Sequence, residues 1–152
     1  MQPMSAVIYR IGTELTFGPS STGTPLLHSG WSSPEPDGFT WSDGPDAILR
    51  FTIAIPTRDL TCHLELMPFT AAEGVPEQRV DIFFNHFRVG YAELCAGRQP
   101  VSFALPRELF IMRSASLLLH IPGAASPFAL GIGDDRRRLG VALWSMQIAP
   151  AS

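Results

Sequence analysis

Proline and glycine interrupt this sequence so often that they limit what it can fold into more than any other feature. Fourteen prolines and thirteen glycines are spread over 152 residues. A proline inside a helix costs about 3 kcal/mol, because it removes a hydrogen bond and clashes with the preceding turn. Long helices are therefore excluded almost everywhere before Gln99.

Between these residues, apolar side chains recur with a period of two, which is typical of strands with one buried face. The alternating segments are 47–55, 60–66 and 80–84, and further strand-like segments are Thr13–Phe17, Phe87–Leu94, Val101–Leu105, Ser116–Ile121 and Gly140–Ile148. In the last segment, Ala142, Trp144, Met146 and Ile148 are expected to share the core face. Short strands separated by turn residues predict an all-β sandwich.

Three local patterns add detail to this prediction. Asn85 stands between two alternating runs, so residues 79–94 are expected to form a hairpin with a tight turn. Pro106–Phe110 is expected to form one helical turn over an end of the sandwich. The segment Pro19–Pro45 is expected to be a long loop with few strands, and such loops are often functional. No repeat or domain boundary is evident, so residues 1–152 are expected to form one domain.

The charge pattern excludes several kinds of function. All eleven basic residues are arginine, and fourteen acidic residues bring the net charge to -3. The chain has no basic footprint for phosphates, which argues against nucleic acid as a partner. The absence of lysine excludes Schiff-base chemistry and a Walker lysine.

The chain shows no membrane or export signal. No apolar run approaches the roughly 20 residues that a membrane-spanning helix needs, and Met1–Arg10 does not resemble a signal peptide. A cytoplasmic location without a membrane span is therefore expected, and the alternative is that the chain belongs to a larger assembly that is exported in another way. Cys62 lies at an apolar position of a strand, which predicts a buried free thiol, and a Cys62–Cys95 disulfide is the alternative.

Two clusters stand out from the strand pattern. Residues 30–44 read Gly-Trp-Ser-x-x-Glu-x-x-Gly-x-x-Trp-Ser-x-Gly, and residues 126–140 read Ser-Pro-x-x-x-Gly-x-x-x-Asp-x-Arg-x-Leu-Gly. Together with an Asn at a hairpin turn, they resemble a bacterial accessory domain that occurs beside glycosyltransferases and other polysaccharide-assembly proteins. The resemblance covers about Leu15 to Ile148 and implies a jelly-roll sandwich similar to carbohydrate-binding modules. His86 departs from it, because this turn more typically contains Gly.

The positions that match the resemblance are Trp31, Glu35, Trp41, Asp135 and Arg137. As a ligand site, they would cover an apolar sugar face with an indole and bond its hydroxyls with charged groups. The structural alternative pairs Glu35 with Arg137, which would tie the loop to the base of the last strand, and packs both tryptophans as lids over the core. Contact with another subunit is a third possibility.

Metal and catalytic motifs are weak. The four histidines form no His-x-His pair, which disfavours a metal-binding cupin. No cofactor is predicted. A structural Ca²⁺ is the alternative, held by oxygens of Asp37, Asp43 and Asp46, although these residue types also form ordinary turns. Glu35 with Asp43 or with Asp135 is a conceivable glycosidase pair, but nothing separates it from ordinary loop acids.

These observations predict a single-domain β-sandwich of jelly-roll type with eight or nine strands. The predicted function is a non-catalytic carbohydrate-binding module associated with polysaccharide biosynthesis, with an oligosaccharide or polysaccharide as its partner. The alternatives are a structural protein–protein interaction subunit and a small polysaccharide-active hydrolase or lyase. Phe83 and Met67 point away from the apolar faces of their strands, which predicts self-association or docking of a protein partner. The alternative is that a second sheet or the long loop covers them.

Overall fold

The computed structural model describes residues 7–151, so the prediction that the N-terminus is not a signal peptide lies partly outside this range. The described residues contain ten strands and two single 3-10 turns. The strands are β1 (Glu14–Thr16), β2 (Leu27–Ser29), β3 (Thr40–Asp43), β4 (Asp46–Thr52), β5 (Leu60–Pro68), β6 (Gln78–Phe84), β7 (Phe87–Leu94), β8 (Gln99–Leu105), β9 (Ser114–His120) and β10 (Leu139–Pro150). The 3-10 turns are Thr24–Leu26 and Arg107–Leu109, and the second confirms the helical turn expected after Pro106.

The ten strands form two antiparallel sheets of five strands each. The first sheet has the order β1–β10–β5–β8, with β3 also paired to β10, and the second has the order β2–β4–β9–β6–β7. The long strand β10 holds both β1 and β3 at one edge, near opposite ends of its length. The chain is thus an all-β sandwich of jelly-roll type, with ten strands where eight or nine were expected.

The core lies between the inward faces of the two sheets, where the period-two apolar residues meet. Leu64 and Leu66 of the first sheet and Leu117 and Leu119 of the second are all at most 1% exposed. Burying such a side chain contributes roughly 1.5–3 kcal/mol, so alternation along each strand selects which face turns inward.

Strand β10 departs from the predicted phase. Its ladder with β5 shifts between Leu143 and Ser145, which is a β-bulge. Val141 and Leu143 therefore face the core before the bulge, and Met146 and Ile148 face it afterwards. The prediction that Trp144 packs in the core with Met146 and Ile148 is wrong, because the inserted residue leaves its ring on the outer face of the first sheet.

The segment Pro19–Pro45 contains more strand than expected. Two short strands, β2 and β3, pair with β4 and β10 at sheet edges. Their buried positions include hydroxyl residues: Thr40 Oγ1 donates to the carbonyl of Phe17 at 2.7 Å, and Ser42 Oγ accepts the Val141 amide at 2.9 Å. Because these inward side chains are polar, the segment shows no alternation of apolar residues.

The predicted hairpin between β6 and β7 is confirmed. Asn85 and His86 connect the strands and both have positive φ, at 48° and 75°, as a type I′ turn requires. The Asn85 side chain donates to the carbonyl of Leu109 at 3.0 Å and accepts the Ser116 amide at 2.9 Å. These two bonds hold the turn against β9 and the chain that precedes it.

Both cysteines are free. Cys62 is buried in the core and Cys95 is exposed, so the alternative of a disulfide between them is wrong. Burial raises the pKa of the Cys62 thiol. Among residues 7–151, no helix is long and apolar enough to cross a membrane.

Candidate functional site

Arg137 joins the two sequence clusters. Its Nε and Nη2 donate to the two carboxylate oxygens of Asp135 at 3.0 and 2.7 Å, and its Nη1 donates to Ser32 Oγ at 2.7 Å and to Glu35 Oε2 at 3.0 Å. These contacts fasten the loop before β3 to the segment before β10. The predicted pairing of Glu35 with Arg137 is confirmed.

The contacts of Arg137 leave it little capacity for a ligand. A guanidinium has five N–H donors, and the four contacts use four of them. Hydrogen bonding to Asp135 raises the pKa of Arg137, and the guanidinium lowers the pKa of Asp135 in turn. Both side chains are 32% exposed, so water reaches the Arg137 guanidinium. Most of its hydrogen-bond donors are nevertheless used by other residues of the protein.

Trp31 also has a structural contact. Its Nε1 donates to the carbonyl of Ile48 at 2.9 Å, and its partly buried ring packs against the core. The contact ties the loop before β3 to β4. This placement matches the structural alternative for Trp31.

Trp41 and Trp144 belong to an aromatic cluster on the outer face of the first sheet. The buried ring of Phe39 lies between them, with its centroid 5.6 Å from that of Trp41 and 4.7 Å from that of Trp144. The guanidinium of Arg98 lies 4.2 Å above the Trp144 ring and is paired with Glu65. Trp41 is half-buried, whereas Trp144 is covered by Phe39 and Arg98.

A groove on the outer face of the second sheet was not predicted. Its floor is formed by Ile48, Leu118 and Phe83, which stand directly beside one another on β4, β9 and β6. Two residues further along the same strands, Arg50 stands beside Ser116. An apolar row is thus followed by a polar row, about 6.6 Å away along the strand.

The groove has the size of a ligand site. Its main part has a volume of about 580 Å³, and a smaller part of about 220 Å³ continues over the apolar floor, with Arg50, His86 and Ser116 lining both. Ligand pockets typically have about 300–1,000 Å³. The polar side chains along the two parts are His28, Arg50, Thr52, Asn85, His86, Ser114 and Ser116.

Sequence reasoning missed this groove because its residues come from several strands and one turn. One feature of the sequence did point to it: the alternation along β6 predicts that Phe83 faces outward, and the structure places Phe83 in the apolar floor. Met67, the other outward residue, pairs with Ala142 on the opposite side of the sandwich. The two residues therefore do not form one patch.

The carboxylates considered for calcium are engaged separately. Asp43 accepts the amide of Arg138 at 2.9 Å, and Asp46 is bonded to His120 at 2.7 Å. Across residues 7–151, no group of three or more His, Cys, Asp or Glu side chains is arranged to hold a metal ion. Asp37, Asp43 and Asp46 do not form such a group within this range, and a structural Ca²⁺ stays a prediction.

The sequence matches no established protein family and no curated protein. Its fold is found in solved structures. A family 36 carbohydrate-binding module of a xylanase from the hindgut metagenome of Trinervitermes trinervoides has a TM-score of 0.57 at 10% identity, over 92% of this chain and 98% of that one. A family 6 carbohydrate-binding module has a TM-score of 0.57 at 7% identity, over 97% of this chain and all of that one.

Two further structures extend this likeness. A family 115 4-O-methyl-α-glucuronidase with specificity for decorated arabinogalactans has a TM-score of 0.59 at 10% identity, and this chain spans 19% of its length. A family 36 module solved with calcium and xylotriose has a TM-score of 0.51 at 10% identity, over 90% of this chain. The chain therefore has the sandwich fold of carbohydrate-binding modules.

Proposed function

We propose that this protein is a non-catalytic carbohydrate-binding module whose ligand lies in the groove of the second sheet. The observation that carries the proposal is a groove on a sandwich with the fold of carbohydrate-binding modules. Its main part of about 580 Å³ joins a smaller part of about 220 Å³ over the apolar floor, and Arg50, His86 and Ser116 line both. A sugar ring has an apolar face and an edge of hydroxyls, and the groove offers contacts for both.

The apolar row and the polar row of the groove would contact different parts of the sugar. Ile48, Leu118 and Phe83 would contact the C–H face of a sugar ring, where burial of apolar surface favours binding. Arg50 and His86 would hydrogen-bond the hydroxyls along the neighbouring polar row. Because the groove is open, an oligosaccharide is expected to bind better than a single sugar.

Most of the ligand-binding residues predicted from the sequence have a structural role in this proposal. We assign Trp31, Glu35, Asp135 and Arg137 to holding the loop before β3, since their polar groups are bonded within the chain. Ligand contact at Trp41 stays a prediction. Quenching of tryptophan fluorescence by a glycan in wild type, and its loss in Trp41→Phe, would support that contact.

Filling the groove tests the proposal. Ser116→Leu places a larger side chain in both parts of the groove and should abolish binding in calorimetric titrations with glycans that a glycan array identifies. Ser102→Leu is the control, because Ser102 is exposed on β8 of the other sheet and its hydroxyl contacts His63, away from the groove. No binding to any glycan by wild type, or unchanged binding by Ser116→Leu, would contradict the proposal.

The geometry does not favour the hydrolase or lyase alternative. Glu35 and Asp135 are both bonded to Arg137, and this lowers the pKa of Asp135. A general acid of a glycosidase needs a raised pKa, so Asp135 is poorly suited to that role. Reducing-sugar release from a polysaccharide panel tests this alternative.

One observation favours a role in protein interaction. Ile111, Met112 and Phe87 are 75%, 61% and 54% exposed, and all three line the main part of the groove. Apolar side chains gathered at one place often mark a protein interface. Concentration-dependent mass in light scattering, lost on Met112→Ser, would place self-association at this end of the groove.

The association with polysaccharide biosynthesis in bacteria is supported only by the resemblance of residues 30–44 and 126–140 to the accessory domain. Deleting the gene in its host and measuring the polysaccharide produced would test it. The cytoplasmic location likewise stays a prediction, to be tested by fractionation.

A further inference from the structure

We infer that the groove selects acidic saccharides, in which a sugar carries a carboxylate; this inference rests on the proposed carbohydrate-binding function. The first observation is the charge of the lining. Arg50, His28 and His86 line the main part of the groove, and none of its described lining residues is Asp or Glu. The chain as a whole carries more acidic than basic residues, whereas the charged residues that line this groove are basic.

The second observation is that Arg50 is free to bind. Arg79, Arg88, Arg98 and Arg137 form ion pairs with carboxylates of the chain. Arg50 makes no side-chain hydrogen bond or ion pair with any other residue of the described range 7–151. It is exposed, and its strand neighbour Ser116 adds a hydroxyl beside it.

The carboxylates on the same face are engaged elsewhere. Asp46 lies four residues before Arg50, about 13 Å away along β4, and is bonded to His120. Asp81 accepts hydrogen bonds from Arg79 and Arg88, which lowers its pKa. Neither carboxylate lines the groove, so the charge of Arg50 is left for a ligand.

A sugar carboxylate fits this arrangement. The planar guanidinium of Arg50 can donate two parallel hydrogen bonds to a carboxylate, which adds direction to the charge attraction. The apolar row beside Arg50 would then contact the sugar ring that bears the carboxylate and the next sugar of the oligosaccharide. Neutral sugars would keep the apolar contacts and lose the charged one.

Matched ligand pairs test the selectivity. Oligogalacturonides and their methyl esters, and oligoglucuronates and their carboxyl-reduced forms, differ mainly in charge. Isothermal titration of wild type should show at least one acidic member binding about tenfold more tightly than its neutral counterpart. Raising the ionic strength should narrow this ratio, because salt screens an exposed charge.

Substitutions of Arg50 test whether this residue causes the preference for acidic ligands. Arg50→Gln should bring the ratio of the two affinities close to one, because it weakens binding of the acidic member far more than binding of the neutral member, whose hydroxyls the amide can still bond. Arg50→Lys should retain part of the preference, since it keeps the charge and loses the planar fork. Arg58→Gln is the control, because Arg58 is exposed and does not line the groove. Circular dichroism should show all three variants folded.

The outcomes separate the two proposals. Equal affinity for acidic and neutral members, an unchanged preference in Arg50→Gln, or a preference confined to sulfated glycans would overturn the selectivity for carboxylates and leave carbohydrate binding standing. An absence of binding to every glycan would overturn the proposed function, and this inference with it.

Discussion

Nη1 of Arg137 and Oε2 of Glu35 lie 3.0 Å apart, although 102 positions separate the two residues in the sequence. The same guanidinium holds Ser32 and, through two bonds, Asp135. One side chain thus connects the loop before β3 with the segment before β10. Because it makes four contacts at once, Arg137 should matter more to stability than either of its acidic partners.

Replacing Arg137 should destabilise the fold measurably. Arg137→Met leaves the carboxylates of Glu35 and Asp135 without their partner, and partial exposure limits the expected loss to about 2 kcal/mol. Glu35→Gln removes the charge from one contact of four and keeps an oxygen that can accept the hydrogen bond, so it should cost less, about 1 kcal/mol or below. Urea unfolding measures both. Arg138→Met, at an exposed neighbouring position, is the control, and equal midpoints for all three variants would contradict the role of Arg137.

The lowered pKa of Asp135 predicts part of the acid sensitivity of the fold. Its pKa in the folded protein lies below the ordinary value of 3.8, so the ionised form stabilises the fold above about pH 4. That contribution is lost as the pH falls through the folded pKa. Asp135→Asn should therefore lose less stability than wild type between neutral pH and pH 2. Asp134→Asn, at an exposed position, should follow the wild-type curve, and parallel curves for all three proteins would refute the assignment.

The aromatic cluster on the first sheet should depend on its middle ring. Phe39 is 7% exposed and contacts both Trp41 and Trp144, so Phe39→Ala should cost about 3 kcal/mol or more. Phe128→Ala is the comparison, because Phe128 is 47% exposed and is covered on one face by Arg136. Its loss should stay below about 1 kcal/mol. Similar melting temperatures for the two variants would show that Phe39 does not hold this cluster together.

The hairpin turn offers a stabilising substitution. His86 has a φ of 75°, a conformation that costs a residue with a Cβ about 1–2 kcal/mol and that glycine adopts freely. His86→Gly should raise stability by up to about 1 kcal/mol, after the entropy cost of glycine. Asn85→Gly should lower stability by about 1–2 kcal/mol, because it removes the bonds to Leu109 and Ser116. Thermal melting measures both, and stabilisation by Asn85→Gly would contradict the role of its side chain.

Local patterns in the sequence were sufficient for most of the strands, for the hairpin and for the absence of long helices from residues 7–151. Alternation within one strand reports which face is buried, and proline and glycine report where a strand ends. The pairing of Glu35 with Arg137 was also predicted, because both are charged members of two unusual clusters. These features depend on neighbours in the sequence or on a resemblance carried by a few residues.

Tertiary structure alone decided the rest. The bulge after Leu143 turned Trp144 outward, and such an insertion depends on how β10 pairs with β5 rather than on the residues of β10. The groove depends on register in the same way, since Ile48, Leu118 and Phe83 become neighbours only when β4, β9 and β6 align. The sequence by itself determined which side is buried in the strands whose apolar residues alternate, but not in β2 and β3 or across the bulge of β10. Hydrogen-bonded pairing between distant strands decides which outward side chains become neighbours. Several registers of a strand keep its apolar face inside, and the pattern of that strand alone does not distinguish between them.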